Sequence, residues 1–275
     1  MKTNRTGLAG VLRLVGVIGA LLALVASAPD ASAGERKRSG TYQGSGGASG
    51  TFQQKVTRER GERNGNTTWQ GQRGEGAHQS RATWDQQAGT GHLSSSTTLP
   101  GGRTASHEST VTKTGEGAYV VHGTQTGVGG KTGTIDRTIT KQEGGGYAVQ
   151  STFTGEGGKT LTTEQAIHKT DSGRARTGTY TTSTGATGSF QDTVTYEGGA
   201  RTRTGTITTS EGKTAGLTAV TTLTGPGTVT RTATTTGPEG KTHTHTGIVT
   251  VEPWSFSEGD PDNNPTPPPP QDQQP

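Results

Sequence analysis

Four Gly-Lys-Thr triplets, at 130–132, 158–160, 212–214 and 240–242, are the residues whose types first suggest chemistry. A phosphate-cradling loop needs a further Gly five residues before the Gly-Lys pair. Those positions hold Gln125, Phe153, Ile207 and Thr235. Each triplet also leads into a strand-like segment, so no helix N-terminus is formed for an anion. The triplets read as turns. His243-Thr244-His245 places two imidazoles on one face of an extended chain, a partial metal chelate. No third ligand is evident, so surface histidines are expected and no metal site is assigned. His78, His92, His107, His122 and His168 are scattered. With no Cys, thiolate zinc sites, disulfides and cysteine nucleophiles are excluded. Acidic residues gather at expected turns, where solvated caps are anticipated. The sequon Asn66-Thr67-Thr68 falls in an expected turn. No Ser-His-Asp set and no paired carboxylates can be assembled. The chain is expected to have no catalytic residues and no cofactor.

The pattern with a specific binding reading is Thr-x-Thr. Thr202, Thr204 and Thr206 present hydroxyls on alternate residues, as do Thr230, Thr232 and Thr234, and Thr242, Thr244 and Thr246. This resembles, in pattern, the Thr arrays of β-solenoid ice-binding proteins. The resemblance implies an ordered hydroxyl face that binds ice. The other reading is that Thr, at 56 of 275 residues, supplies β-propensity and solubility.

The elements that carry these residues follow from a repeat. The basic positions Arg103, Lys131 and Lys159 are 28 apart, as are Lys213 and Lys241. Gly117, Gly145 and Gly173 form a second series halfway between, as do Gly199 and Gly227. A turn therefore falls about every 14 residues, with a degenerate one near Gly185-Ala186-Thr187. Fixed-period self-similarity defines a repeat architecture. Between turns the apolar period is two: Phe190, Val194 and Tyr196 are in phase, as are Tyr147, Val149 and Phe153, and Leu161 and Ile167. Strands of 8–10 residues joined by Gly turns give an all-β antiparallel meander of about 15 strands. Open sheet, sandwich and closed barrel are left undecided. No apolar 3.6 period appears outside the leader.

The turns suggest a register. Loop 211–213 sets Ile207 opposite Leu217. A turn at Pro226 sets Leu223 opposite Val229. A turn at Glu239 sets Val229 opposite Val249, Thr234 opposite Thr244 and Ala233 opposite His245. The apolar residues then share one face and the Thr-x-Thr residues the other.

Residues 1–33 read as a signal peptide. Lys2, Arg5 and Arg13 precede the uncharged run Leu14 to Val25, and Ala31-Ser32-Ala33 follows as a cleavage site. Such a run is too short to span a membrane. Residues 34–251 form the Thr/Gly-rich β repeat domain. Residues 252–275, with four successive prolines from Pro267, read as a disordered polyproline tail. The net charge of +4 is a small excess on a balanced chain, and Arg36-Lys37-Arg38 reads as a solvated N-terminal tail, so nucleic acid is not an expected partner. Only 24% of residues are apolar, too few to wall a deep dry cleft. The function expected is that of an exported structural or surface-interaction repeat protein. Its partner would be an extracellular polymer or cell-surface glycan. A glycan-binding adhesin with a flat Thr-rich face is the alternative, with ice binding a remote form of it, and an enzyme with an unrecognised site is a third.

Overall fold

A computed structural model describes residues 34–251. The expected signal peptide and proline-rich tail lie outside them. The described chain is all strand and turn: β1 (Gly34–Gly44), β2 (Ser49–Glu59), β3 (Glu62–Gly71), β4 (Gly74–Asp85), β5 (Thr90–Thr98), β6 (Thr104–Gly115), β7 (Ala118–Thr126), β8 (Thr132–Lys141), β9 (Tyr147–Gly155), β10 (Thr160–Thr170), β11 (Gly173–Thr182), β12 (Thr187–Glu197), β13 (Ala200–Thr209), β14 (Thr214–Gly225), β15 (Thr228–Thr236) and β16 (Thr242–Val251). Each strand pairs antiparallel with its neighbours in sequence, and β1 pairs with β16, so the meander closes into a barrel. Strands run 9 to 12 residues, slightly longer than expected.

The turns explain the 28-residue period. Loops that follow odd-numbered strands all lie at one end of an antiparallel barrel, so the chain returns to that end every second strand. Arg103, Lys131, Lys159, Lys213 and Lys241 occupy these loops. The loops share one geometry. Gly237 N–H donates to the Lys241 carbonyl at 2.8 Å and Gly240 N–H to the Gly237 carbonyl at 2.9 Å. Gly240 has φ +75, which a side chain adopts only at a cost. A tight turn followed by a left-handed Gly matches the right-handed twist of flanking strands.

Several expectations change. Arg36, Lys37 and Arg38 are not a tail but part of β1, paired with β2. Asn66, Thr67 and Thr68 lie in β3 rather than a turn. Ile207 pairs with Ala215, and Leu217 with Gly205. The closing pair Thr209–Lys213 centres that loop on Glu211, one residue earlier than read. A one-residue change of centre moves the register by two, so both residues keep their face. The remaining pairs, Leu223–Val229, Val229–Val249, Ala233–His245 and Thr234–Thr244, are as read.

The buried face of each strand is the lumen face. A sixteen-strand ring drawn as a circle encloses water. Here Val121, Val149 and Val194 are each 1% exposed, so side chains fill the lumen beside them. One cluster joins Val111, Val121, Ile139 and Val149, flanked by Trp84, Leu93, Tyr119, Tyr147 and Ile167. A second joins Tyr180, Phe190 and Ile207 with Leu161. Towards β14–β16 the lumen face opens: Leu223, Arg231, His243 and His245 are exposed.

How so few apolar residues make a core is visible in the register. Inward aromatic rings sit directly opposite inward glycines: Phe52 on Gly40, Tyr42 on Gly50, Trp69 on Gly76, Trp84 on Gly91, Phe190 on Gly178 and Tyr180 on Gly188. A Cβ on Gly91 would lie 2.7 Å from the Trp84 ring, and one on Gly178 would lie 2.6 Å from Phe190. The bare backbone lets each ring lie across the adjacent strand. Trp84 on β4 thereby reaches Tyr119 on β7, with ring centroids 6.3 Å apart. One large ring covers two strands, and an apolar-poor sequence gains a covered wall.

Candidate functional site

The outer face carries the Thr-x-Thr residues, and the barrel sets them in rows. Thr193, Thr204, Thr218, Thr234 and Thr244 are consecutive partners from β12 to β16. Beside them run Thr195, Thr202, Val220, Thr232 and Thr246. Thr206 begins a third row that passes Gly216 and Thr236 to Thr242, and Thr230 stands opposite Thr222. All nine residues singled out from the sequence therefore share one outward surface. Neighbouring hydroxyls are about 4.8 Å apart across strands and about 7 Å along them. Thr234 and Thr244 hydroxyls are hydrogen-bonded at 3.0 Å, Thr232 and Thr246 at 3.2 Å, and Thr224 and Thr230 at 3.0 Å. The sequence missed the cross-strand continuity, because it depends on register over five strands. It placed Thr218 on this face but opposite Thr206 rather than Thr204, and it missed Thr193, which begins the central row.

His243 and His245 lie on the lumen face at its open side. His245 Nδ1 is 2.6 Å from Ser45 Oγ, across the β1–β16 seam. Among the described residues no three His, Asp or Glu side chains converge as a metal site would require.

The lumen holds a charge cluster that the sequence reading overlooked. Asp192 is 8% exposed, not a solvated turn residue. Arg203 Nε donates to its Oδ1 at 2.6 Å and Arg176 Nη2 to its Oδ2 at 3.1 Å. The Arg176 guanidinium also lies 5.6 Å over the Phe190 ring. The signal was available: Asp192 shares the parity of Phe190 and Val194. On β8, Arg137 Nε donates to Ser151 Oγ at 2.9 Å. Burial lowers the affinity of the Arg137 and Arg176 guanidiniums for their protons. Burial, reinforced by the Arg137 charge, holds the His107 imidazole below its ordinary value. Burial also pushes the Tyr180 phenol up. Each of these hydrogen bonds joins neighbouring strands, β8 to β9 and β12 to β11 and β13.

The outer wall has one broad depression, of about 520 Å³, over β2–β6. On the lumen face, at its open side, a smaller one of about 390 Å³ is lined by Tyr196, Arg201, Leu223 and Val229.

No family model, no curated protein and no solved structure matches this chain.

Proposed function

We propose that the chain is an exported, non-catalytic repeat protein that acts by binding an extended extracellular polymer or cell surface through its outer wall. The observation that carries this reading is the in-register threonine rows from β12 to β16. They offer a ligand many equivalent weak contacts. The outward positions elsewhere are mostly polar, for example Gln53 and Lys55, Thr138 and Thr140, and Thr177 and Thr179. Such an exterior is the reverse of a bilayer-spanning barrel, whose outward band is apolar. Asp192, the buried carboxylate among the described residues, is committed to two guanidiniums rather than held ready for proton transfer. Export rests on the leader pattern of residues 1–33.

Ice is a second occupant of the same rows, because an ordered lattice meets ordered hydroxyls. Thermal hysteresis measures it directly.

Binding spread over many contacts should fall gradually as contacts are removed. Retention on insoluble envelope material from the native host is the assay. Thr204→Ala should weaken retention about twofold, and Thr204, Thr218 and Thr234 changed together should weaken it at least tenfold. These expectations follow from net contributions of about 0.5–1.5 kcal/mol per hydrogen bond. Complete loss on one such change would mean a discrete site, and retention unchanged in the triple variant would remove the rows from binding.

A further inference from the structure

On β2–β6 the outer wall departs from the threonine pattern. One row across these strands reads Lys55, Asn66, Gln79, Ser96 and Ser106, each the register partner of the next. The adjacent row reads Thr57, Asn64, Arg81, Ser94 and Glu108. Between them the inward positions of β3, β4 and β5 are Gly65, Ser80 and Ser95. Elsewhere an aromatic ring props the wall from within. Here β3, β4 and β5 carry only the smallest inward side chains, flanked in the same row by Val56 on β2 and His107 on β6. Over these small inward residues the outer surface is depressed, with a volume of about 520 Å³. That volume falls within the ordinary range for ligand sites. Crossing five strands, the trough is about 19 Å long.

The lining chemistry narrows the ligand. Lys55 is ion-paired with Glu35, and Arg81 with Glu62 at 3.0 Å. Both cations are thereby matched, and an anion would meet Glu108 beside them. The remainder is amide and hydroxyl, groups that donate and accept together. Asn66 and Gln79 stand opposite each other at the middle of the trough, and among the described residues no side chain engages their amides. The threonines of β14–β16, by contrast, bond to one another. A long, uncharged trough with paired donors and acceptors suits a long, uncharged ligand with hydroxyls on every side.

We propose that the trough over β2–β6 is a binding site for a neutral oligosaccharide chain laid across the strands. The site is separate from the threonine rows and does not depend on their binding anything. Its lining lacks aromatic rings, so a single chain binds weakly and polymer binds through repeated contact.

Affinity electrophoresis of the full chain, as its host produces it, tests this. Gels would contain dextran, laminarin, xylan or hydroxyethyl cellulose, with titration calorimetry against oligosaccharides of any polymer that retards migration. At least one of these neutral polymers should retard the protein. Asn66→Ala combined with Gln79→Ala should weaken that binding at least tenfold with an unchanged melting temperature, both side chains being exposed. Failure of all four polymers to retard the chain overturns the proposal. So does binding that survives the double variant. If binding is instead lost in the Thr204, Thr218 and Thr234 variant, the glycan sits on the threonine rows. Retardation by sulfated polymers alone, abolished by salt, would make the contact electrostatic and equally reject the trough.

Discussion

Asp192 shows how one residue can hold three strands together at considerable risk. Its carboxylate accepts from Arg176 on β11 and Arg203 on β13, so it ties three strands at mid-barrel. Arg176 and Asp192 side chains are 7% and 9% exposed and Arg203 21%, and charges so placed are costly without partners. Asp192→Ala should lower stability by about 3 kcal/mol in urea unfolding, since a buried guanidinium loses its carboxylate. Changing Asp192→Leu and Arg176→Met together should cost less than Asp192→Ala alone. If the double change costs more, the cluster contributes net stability beyond charge compensation.

At the scale of elements, glycine has two separate uses. In loops such as 237–241 it supplies the left-handed residue. Inside strands it makes room for a ring. Gly178→Val should displace Phe190 and disturb Arg176 above it, costing about 2–4 kcal/mol in thermal or urea melts. Gly240→Val, whose Cβ would meet nothing within 4 Å, should cost only the backbone strain of about 1–2 kcal/mol. Equal losses at both sites would refute the distinction. Only the first use was legible in the sequence. The loop glycines announce themselves by their 28-residue spacing, and that spacing placed the hairpins and both faces. The strand glycines at 76, 91, 178 and 188 fall at the parity of apolar residues and look like gaps in the pattern. Their meaning needs the ring on the neighbouring strand, which depends on an accurate register. The error at Ile207 shows how a loop centre misplaced by one residue hides such partners. The trough was illegible for a related reason. Gly65, Ser80 and Ser95 form a set only once three strands are aligned, and Asn66 was assigned to a turn.

For the whole molecule, closure sets what a repeat can do. In an open array, units can be lost from an end with little effect on the rest. A ring must re-form around any deletion. Removing residues 131–158 excises β8 and β9 and rejoins Gly130 to Lys159, restoring the same Gly-Lys-Thr loop. The product should fold as a fourteen-strand ring with a lower melting temperature, because Ile135, Ile139 and Val149 leave the core. Its threonine rows on β12–β16 remain, so retention on envelope material should persist. A chain that no longer folds would show that sixteen strands are fixed by packing rather than by repeat number.

The β1–β16 seam also imposes an order in time. Every other pairing joins strands adjacent in the chain and can form by local search. The seam joins Gly40–Gly44 to Gly247–Val251, so it must wait for the last strand. Entropy favours the nearby hairpins first. Until the two ends meet, the growing sheet exposes the backbone of both margins, each a template for pairing with another molecule. The slowest step of folding is therefore also the one during which the protein is most prone to assemble with copies of itself. The brief stitch that closes the ring, together with Ser45 donating its backbone N–H to the Thr246 carbonyl at 2.7 Å, ends that exposure.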